Sequence, residues 1–144
     1  ARSVPANGRV ITHERDAGHA EVARASLDAA GVGHKVTIRM GQALDNIAAL
    51  ADDAPVDLTF IDADKRNNSA YFEAALAVSR PGSIIVVDNV VRGGAIADTD
   101  NTEESAAGAR AVVELAARDA RVEATVLQTV GRKDYDGMLI ATVL

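Results

Sequence analysis

Three short apolar segments of the sequence each end in, or are followed directly by, acidic residues. Glu14 ends the segment RVITHE, Asp62-Ala63-Asp64-Lys65 follows VDLTFI, and Asp88-Asn89 follows SIIVV. Because aspartate and asparagine also cap helices and form turns, each group alone is weak evidence for a site. The three groups together favour one shared polar site, provided that the segments are strands whose carboxyl ends meet.

The second and third groups offer hard oxygen ligands. Asp62, Asp88 and Asn89 supply two carboxylates and an amide, with no histidine or cysteine beside them, which suits Mg²⁺, Mn²⁺ or Ca²⁺ better than zinc. Lys65 lies three residues after Asp62, and the positive charge of a bound cation would disfavour its ammonium form, which suits a general base. The alternative interpretation of Asp88-Asn89 is a turn after a core strand. The alternative for Lys65 is an ordinary lysine with a solvated head.

Two further features suit a nucleotide-like cofactor. A carboxylate at the end of a strand, where Glu14 lies, commonly accepts two hydrogen bonds from a ribose diol. Gly41-Gln42-Ala43 follows the next apolar segment and offers small residues and free backbone groups, which an adenine edge could approach. The second feature alone is a weak signal.

The elements that must position these residues alternate between β-branched strands and alanine-rich helices. A turn at Pro81-Gly82 and a polar loop over 92–105 interrupt the alternation. The predicted strands are 9–14, 35–40, 56–61, 83–87, 122–129 and 138–144. The predicted helices are 17–30, capped by Asp16, then 43–50, 69–78, and one from Thr102 or Ser105 to about residue 118.

This alternation predicts an α/β fold with right-handed crossovers and a Rossmann-like, doubly wound, mostly parallel sheet. Ligands bind such sheets beyond the carboxyl ends of the strands, where the acidic groups fall. Since no helix separates the last two strands, we expect the C-terminal strand to be antiparallel. We expect one domain over residues 1–144.

Composition limits the function classes. The chain of 144 residues has no cysteine, which excludes disulfides, thiolate zinc sites and cysteine nucleophiles. Fifteen Lys and Arg against 21 Asp and Glu, with no basic cluster, argue against nucleic-acid binding. No apolar run approaches the roughly 18–20 residues that a membrane span needs. We therefore expect a cytoplasmic enzyme or binding domain without nucleic-acid or membrane partners.

In this order, the elements resemble the cation-dependent O-methyltransferases, which are class I S-adenosylmethionine enzymes that include catechol and caffeoyl-CoA O-methyltransferases. The similarity covers essentially the whole chain, and the combination of FIDADK with a later DNV is its most specific part. The matching stretches are GRVITHE, EVARASLDAAGV, VTIRMGQAL, DLTFIDADKRNNSAYFEAAL, SRPGSIIVVDNVVRGGAIAD and DGMLIATVL.

The resemblance implies methyl transfer from S-adenosylmethionine to a hydroxyl of a catechol-like, hydroxylated aromatic molecule, assisted by Mg²⁺ or by Mn²⁺ or Ca²⁺. Lys65 would take the acceptor proton. A homodimer is compatible with the family. The implied cation ligands are Asp62, Asp88 and Asn89, and the implied cofactor contacts are Glu14 at the ribose, Gly41 and Ala43 near the adenine, and Asp62, Asp64 and Tyr71.

The sequence departs from the family pattern in three places. The family's first strand and glycine-containing cofactor loop would precede Ala1. Asn68 stands where tyrosine is common, and Gly93 stands where plant members have an asparagine that touches substrate. Two other functions stay open: a magnesium-dependent, receiver-type phosphotransfer domain with Asp62 as the nucleophile, and a non-catalytic Rossmann-like binding module.

Overall fold

The computed structural model describes residues 1–132 and 134–144. Contacts between residues divide the chain into two compact units, Ala1–Ala49 and Leu50–Leu144. None of the described helices combines the length and apolar character that crossing a membrane requires.

The first unit contains a two-stranded parallel sheet and one long helix. Strand β1 (Val10–Glu14) pairs with β2 (Val36–Met40), and helix α1 (Ala17–Ala29) connects them. The register places Glu14 opposite Met40, so both strands end at the same edge. The predicted strand–helix–strand unit is confirmed.

Helix α1 begins and ends where its capping residues dictate. The Asp16 carboxylate accepts a hydrogen bond from the backbone N–H of His19 at 2.9 Å, which satisfies one of the free donors of the first turn. Gly31 follows the helix with a φ of +70°, a left-handed conformation that glycine adopts without strain.

The second unit contains a four-stranded sheet with the strand order β3-β4-β6-β5. Strands β3 and β4 are parallel, whereas β6 is antiparallel to both β4 and β5, as predicted for the C-terminal strand. The helices and strands from residue 47 onward are α2 (Ile47–Leu50), β3 (Val56–Ile61), α3 (Asn68–Ala77), β4 (Ser79–Asp88), α4 (Glu104–Arg118), β5 (Val122–Val130) and β6 (Tyr135–Val143).

The core of this unit lies between the sheet and the helices α3 and α4. Ile85 and Val87 of β4 are fully buried, as are Phe72 of α3 and Val112 of α4. Strand β4 has hydrogen-bonded neighbours on both sides, β3 and β6, a position that suits a segment as apolar as SIIVV.

Strand β4 begins earlier than predicted. It starts at Ser79, so Pro81-Gly82 lies inside it, where the pairing shifts from Val56–Ser79 to Leu58–Ile84. The Ser83 hydroxyl donates to the carbonyl of Val56 at 2.7 Å and holds the irregular stretch against β3. A proline breaks the ladder locally without ending the strand, because a bulge accommodates its missing donor.

Two other elements differ from expectation. Within the described residues the strands form two separate hydrogen-bonded sheets rather than one. The helix expected over 43–50 is a series of short pieces, with 3₁₀ turns at Leu44–Asn46 and Ala51–Asp53 on either side of the four-residue α2.

Candidate functional site

The acidic residues predicted after the third and fourth strands lie side by side in the structure. Ile61 of β3 pairs with Val87 of β4 in parallel register, so Asp62 and Asp88 follow at adjacent positions of the same sheet edge. Neighbouring strands are about 4.8 Å apart, a spacing that lets both carboxylates approach one ion. Strand pairing therefore brings together the two groups that the sequence separates by 26 positions.

Lys65 points back at the strand end that precedes it. Residues Lys65–Asn67 form a 3₁₀ turn, and the Lys65 Nζ lies 2.9 Å from Asp62 Oδ1. The lysine side chain is only 11% exposed, whereas that of Asp62 is 52% exposed. The cationic head is thus held at a partly open carboxylate rather than extended into solvent.

Asp64 is the centre of a hydrogen-bonded group. Its Oδ1 accepts the Tyr71 hydroxyl at 2.7 Å, and its Oδ2 accepts Asn67 Nδ2 at 2.5 Å and Arg66 Nε at 3.3 Å. Burial opposes ionisation of Asp64, but these hydrogen bonds outweigh it and lower its pKa. Burial, and then the bond to Asp64, raise the pKa of Tyr71 to about 12. Asp64 and Tyr71, each predicted as a cofactor contact, therefore contact one another as an ionised carboxylate and a neutral phenol.

The backbone turns sharply after Asp88. Asn89 has a φ of +56°, which is uncommon for a residue with a side chain, and its N–H donates to Asp88 Oδ1 at 2.7 Å. This local bond is the turn-forming role that the sequence left open for Asp88. It occupies one oxygen of the Asp88 carboxylate and fixes the position of that carboxylate relative to the Asn89 backbone.

The segment after Asn89 lines an open groove of about 440 Å³. Tyr135 and Asp136 belong to its lining, and the sequence assigned neither of them a role. Both contact the loop after β4 from positions more than 40 residues away. The groove is lined by Arg92, Gly93, Ala95, Glu103, Asp134, Tyr135 and Asp136.

In the first unit, Glu14 and Gly41 lie together. The Gly41 N–H donates to the Glu14 carbonyl at 3.0 Å, and Gly41 has a φ of +109°. The Glu14 carboxylate accepts the N–H of Asp16 at 2.8 Å, so it also has a local capping role. Ala43 follows in a turn in which its carbonyl accepts the N–H of Asn46 at 3.1 Å.

Within residues 1–132 and 134–144 there is no group of three or more His, Cys, Asp or Glu side chains placed to hold a metal ion. The predicted ligand set is not a group of this kind, because it has only two carboxylates, those of Asp62 and Asp88. Its third member is the amide of Asn89.

The chain matches known proteins over nearly its whole length. The sequence model of the O-methyltransferase family matches residues 1–142. A catechol O-methyltransferase from Niastella koreensis is 46% identical over 99% of this chain and 66% of its own length. A catechol O-methyltransferase from Mycobacterium tuberculosis is 46% identical over 99% of this chain and 64% of its own length. The chain thus spans just under two thirds of the length of these relatives.

Solved structures give the same result. An O-methyltransferase from Bacillus cereus in complex with SAH superimposes with a TM-score of 0.95 at 45% identity, covering 99% of this chain and 66% of that one. TomG from Streptomyces achromogenes, an O-methyltransferase involved in tomaymycin synthesis and solved with SAM, gives a TM-score of 0.94 at 44% identity, covering 99% and 65%. These matches favour the methyltransferase interpretation over a phosphotransfer receiver. By its sequence and its fold, the chain belongs to the O-methyltransferase family.

Proposed function

We propose that the protein transfers the methyl group of S-adenosylmethionine to a hydroxyl of a catechol-like small molecule, with the help of a divalent cation. The observation that carries the proposal is the adjacency of Asp62 and Asp88 at one sheet edge, with Lys65 held 2.9 Å from Asp62. The family, the catechol O-methyltransferase names of relatives, and the SAH and SAM in similar structures support it.

The residues at this edge fit a hard cation. Two carboxylates at neighbouring strand ends and the Asn89 amide make an oxygen donor set that leaves positions for substrate oxygens and water. The Asp62 carboxylate also lies 2.9 Å from the Lys65 Nζ, so it is oriented towards a basic group at this edge. We assign Asp62, Asp88 and Asn89 as ligands, and when bound the cation would stabilise negative charge on the acceptor oxygen.

Lys65 is the proposed proton acceptor. In its neutral form, the Nζ takes the proton of the acceptor hydroxyl, and Asp62 then stabilises the ammonium through the 2.9 Å contact. When bound, S-adenosylmethionine would supply a methyl group on a sulfonium, and the acceptor oxygen would take that methyl as the S–C bond breaks and leaves a neutral thioether. Holding the two reactants in line supplies much of the rate.

Cofactor contacts are assigned in each unit separately. In residues 50–144, we assign the ionised Asp64, which accepts the Tyr71 hydroxyl, to accept hydrogen bonds from the cofactor or to face a cationic group of it. Asp62, two residues earlier, is assigned with it. In residues 1–49, Glu14 is assigned to the ribose, and Gly41 and Ala43 to the adenine.

The groove behind the loop after β4 is the proposed place for the acceptor's ring. It begins three residues after Asn89, and Gly93 in its lining leaves room where a side chain would project. An added Cβ at Gly93 would have its nearest neighbour, Asp134 Oδ2, at 3.4 Å, which is ordinary van der Waals contact.

Methyl transfer to a panel of catechols, with Mg²⁺ or with EDTA, tests the proposal in the full-length protein. Activity should disappear with EDTA and in Asp88→Ala. Asp57→Ala is the matched control, because Asp57 lies near the opposite end of β3 and pairs with Arg80 on the surface. Activity that survives both EDTA and Asp88→Ala would refute the cation-assisted mechanism.

A further inference from the structure

The start of β6 is bonded to the loop that follows β4 at four points. Gly137 accepts the N–H of Val90 at 3.0 Å. Asp136 Oδ1 accepts the N–H groups of Val91 at 3.1 Å and Arg92 at 2.8 Å. The Tyr135 hydroxyl donates to the Gly93 carbonyl at 2.6 Å. We call residues Tyr135, Asp136 and Gly137 the clamp.

The loop held by the clamp has an unfavourable backbone. Asn89 and Arg92 have φ values of +56° and +53°, and both residues carry side chains. Arg92 is strained there, because its Cβ crowds the following carbonyl oxygen, whereas asparagine tolerates this conformation better. Such conformations persist only where surrounding contacts fix them. The clamp supplies these contacts.

The carboxylate of Asp136 is the main part of the clamp. Its Oδ1 also accepts the N–H of Gly137 at 2.8 Å, so one oxygen gathers three backbone donors. Hydrogen bonds to an ionised carboxylate are roughly twice as strong as those to neutral acceptors. Gly137 allows the close approach, since a Cβ there would lie 2.6 Å from Val91 Cγ2 and closer still to the carbonyl oxygen of Leu127.

We propose that Asp136 is a positioning residue for the cation site: it holds the loop in the conformation that places Asn89 beside Asp88 and Asp62. This inference rests on the proposed function, because Asn89 matters here as a ligand. Asp136 itself acts through the backbone of residues 91 and 92 and does not touch the cation.

Binding of Mn²⁺ alone by the full-length protein, measured by isothermal titration calorimetry, tests this role. Asp136→Ala should weaken Mn²⁺ binding by about 10-fold or more, the range seen when groups that orient metal ligands are removed. Asp136→Asn retains an acceptor oxygen of the same shape and should recover most of the affinity.

Asp119→Ala is the matched control. Asp119 Oδ1 accepts the backbone N–H of Arg121 at 2.9 Å, so its loss also removes a carboxylate bonded to the backbone. Asp119 precedes the end of β5 that pairs with Val143, whereas Asp88 pairs with Met138 towards the other end of β6. This variant should lower the Tm and leave the Mn²⁺ affinity unchanged.

The outcomes separate the two proposals. Wild-type protein that binds no Mn²⁺ would refute the cation site, and the role of Asp136 with it. Wild-type affinity in Asp136→Ala, or equal weakening in Asp119→Ala, would refute only the positioning role. If Asp136→Ala does not fold, Tyr135→Phe takes its place, because it removes the bond to Gly93 and should weaken Mn²⁺ binding by a smaller, measurable factor.

Discussion

Gly108 of α4 lies directly against the backbone of the turn that begins at Lys65, so alanine at this position is expected to displace the turn. An added Cβ would lie 2.6 Å from the Lys65 carbonyl carbon, 3.0 Å from Arg66 Cα, and closer still to the Lys65 carbonyl oxygen. These are backbone atoms that cannot rotate away, and ordinary contact begins at 3.4 Å. Helix and turn must therefore separate by roughly 1 Å, because well-packed interiors leave no void to absorb the methyl group.

The structural cost is moderate and the catalytic cost is large. Overpacking costs about 1–3 kcal/mol, and the higher helix propensity of alanine offsets about 1 kcal/mol of this. The variant Gly108→Ala should thus fold, with a net loss of about 0–2 kcal/mol. A displacement of about 1 Å at a catalytic group can cost on the order of 100-fold in rate. We expect kcat to fall about 10- to 100-fold because Lys65 moves.

Urea denaturation and methyl transfer to catechol at saturating S-adenosylmethionine, both in the full-length protein, measure the two effects. Ala111→Gly is the control, because Ala111 is exposed on the same helix and the substitution isolates the propensity term. It should cost about 1 kcal/mol and leave kcat unchanged. A folded Gly108→Ala protein with wild-type kcat would refute the reasoning, since the position of Lys65 would then not limit the reaction.

Three other outcomes concern stability. Asn68 is fully buried, and among the described residues neither polar atom of its side-chain amide has a hydrogen-bond partner. Asn68→Leu should therefore raise the free energy of unfolding, measured in urea, by about 1–2 kcal/mol. A decrease would indicate that an internal water binds the amide. The raised pKa of Tyr71, about 12, adds stability that is complete below pH 10 and is lost as the pH rises from 10 through 12. In Tyr71→Phe, the free energy of unfolding, measured by urea denaturation at several pH values, should fall less steeply between pH 10 and 12. An unchanged slope would contradict the assignment. Gly31→Ala should lower the free energy of unfolding by about 1 kcal/mol, seen as a lower Tm. The φ of +70° alone is the cause, because no atom outside the adjacent residues lies within 4 Å of the added Cβ. An unchanged Tm would contradict this.

The sequence was sufficient to predict the strands that carry the candidate residues within each unit. Apolar, β-branched runs ending in Asp or Glu identified β1, β3 and β4, and β3 has the predicted bounds of Val56–Ile61. Parallel strands with helical connections imply a common carboxyl edge, which brings Asp62 next to Asp88. These inferences depend on local periodicity and general topology, both of which a single sequence carries.

Long-range contacts could not be predicted in the same way. Asp136 bonds to residues 44 and 45 positions earlier, and an Asp-Gly pair before a strand looks like an ordinary turn. The early start of β4 likewise depends on Ser83 reaching the carbonyl of Val56, 27 positions earlier. The contact of Gly108 with the Lys65 turn has no local signature either, because a glycine within a helix otherwise indicates only low propensity. The roles of the individual site residues stay predictions.

The position of β6 between β4 and β5 sets an order of events during synthesis. Among the strands of residues 1–132 and 134–144, β6 is the last to leave the ribosome, and it supplies the hydrogen-bonded edge for both of its neighbours. Until it arrives, β4 and β5 have no ladder to join them, and the loop at Asn89 has no clamp. Unpaired strand edges on a nascent chain are prone to aggregation. The loop at Asn89 is therefore fixed after the β3–β4 pairing that brings Asp62 next to Asp88, and slowing translation just before residue 135 should prolong the period in which a chaperone is needed.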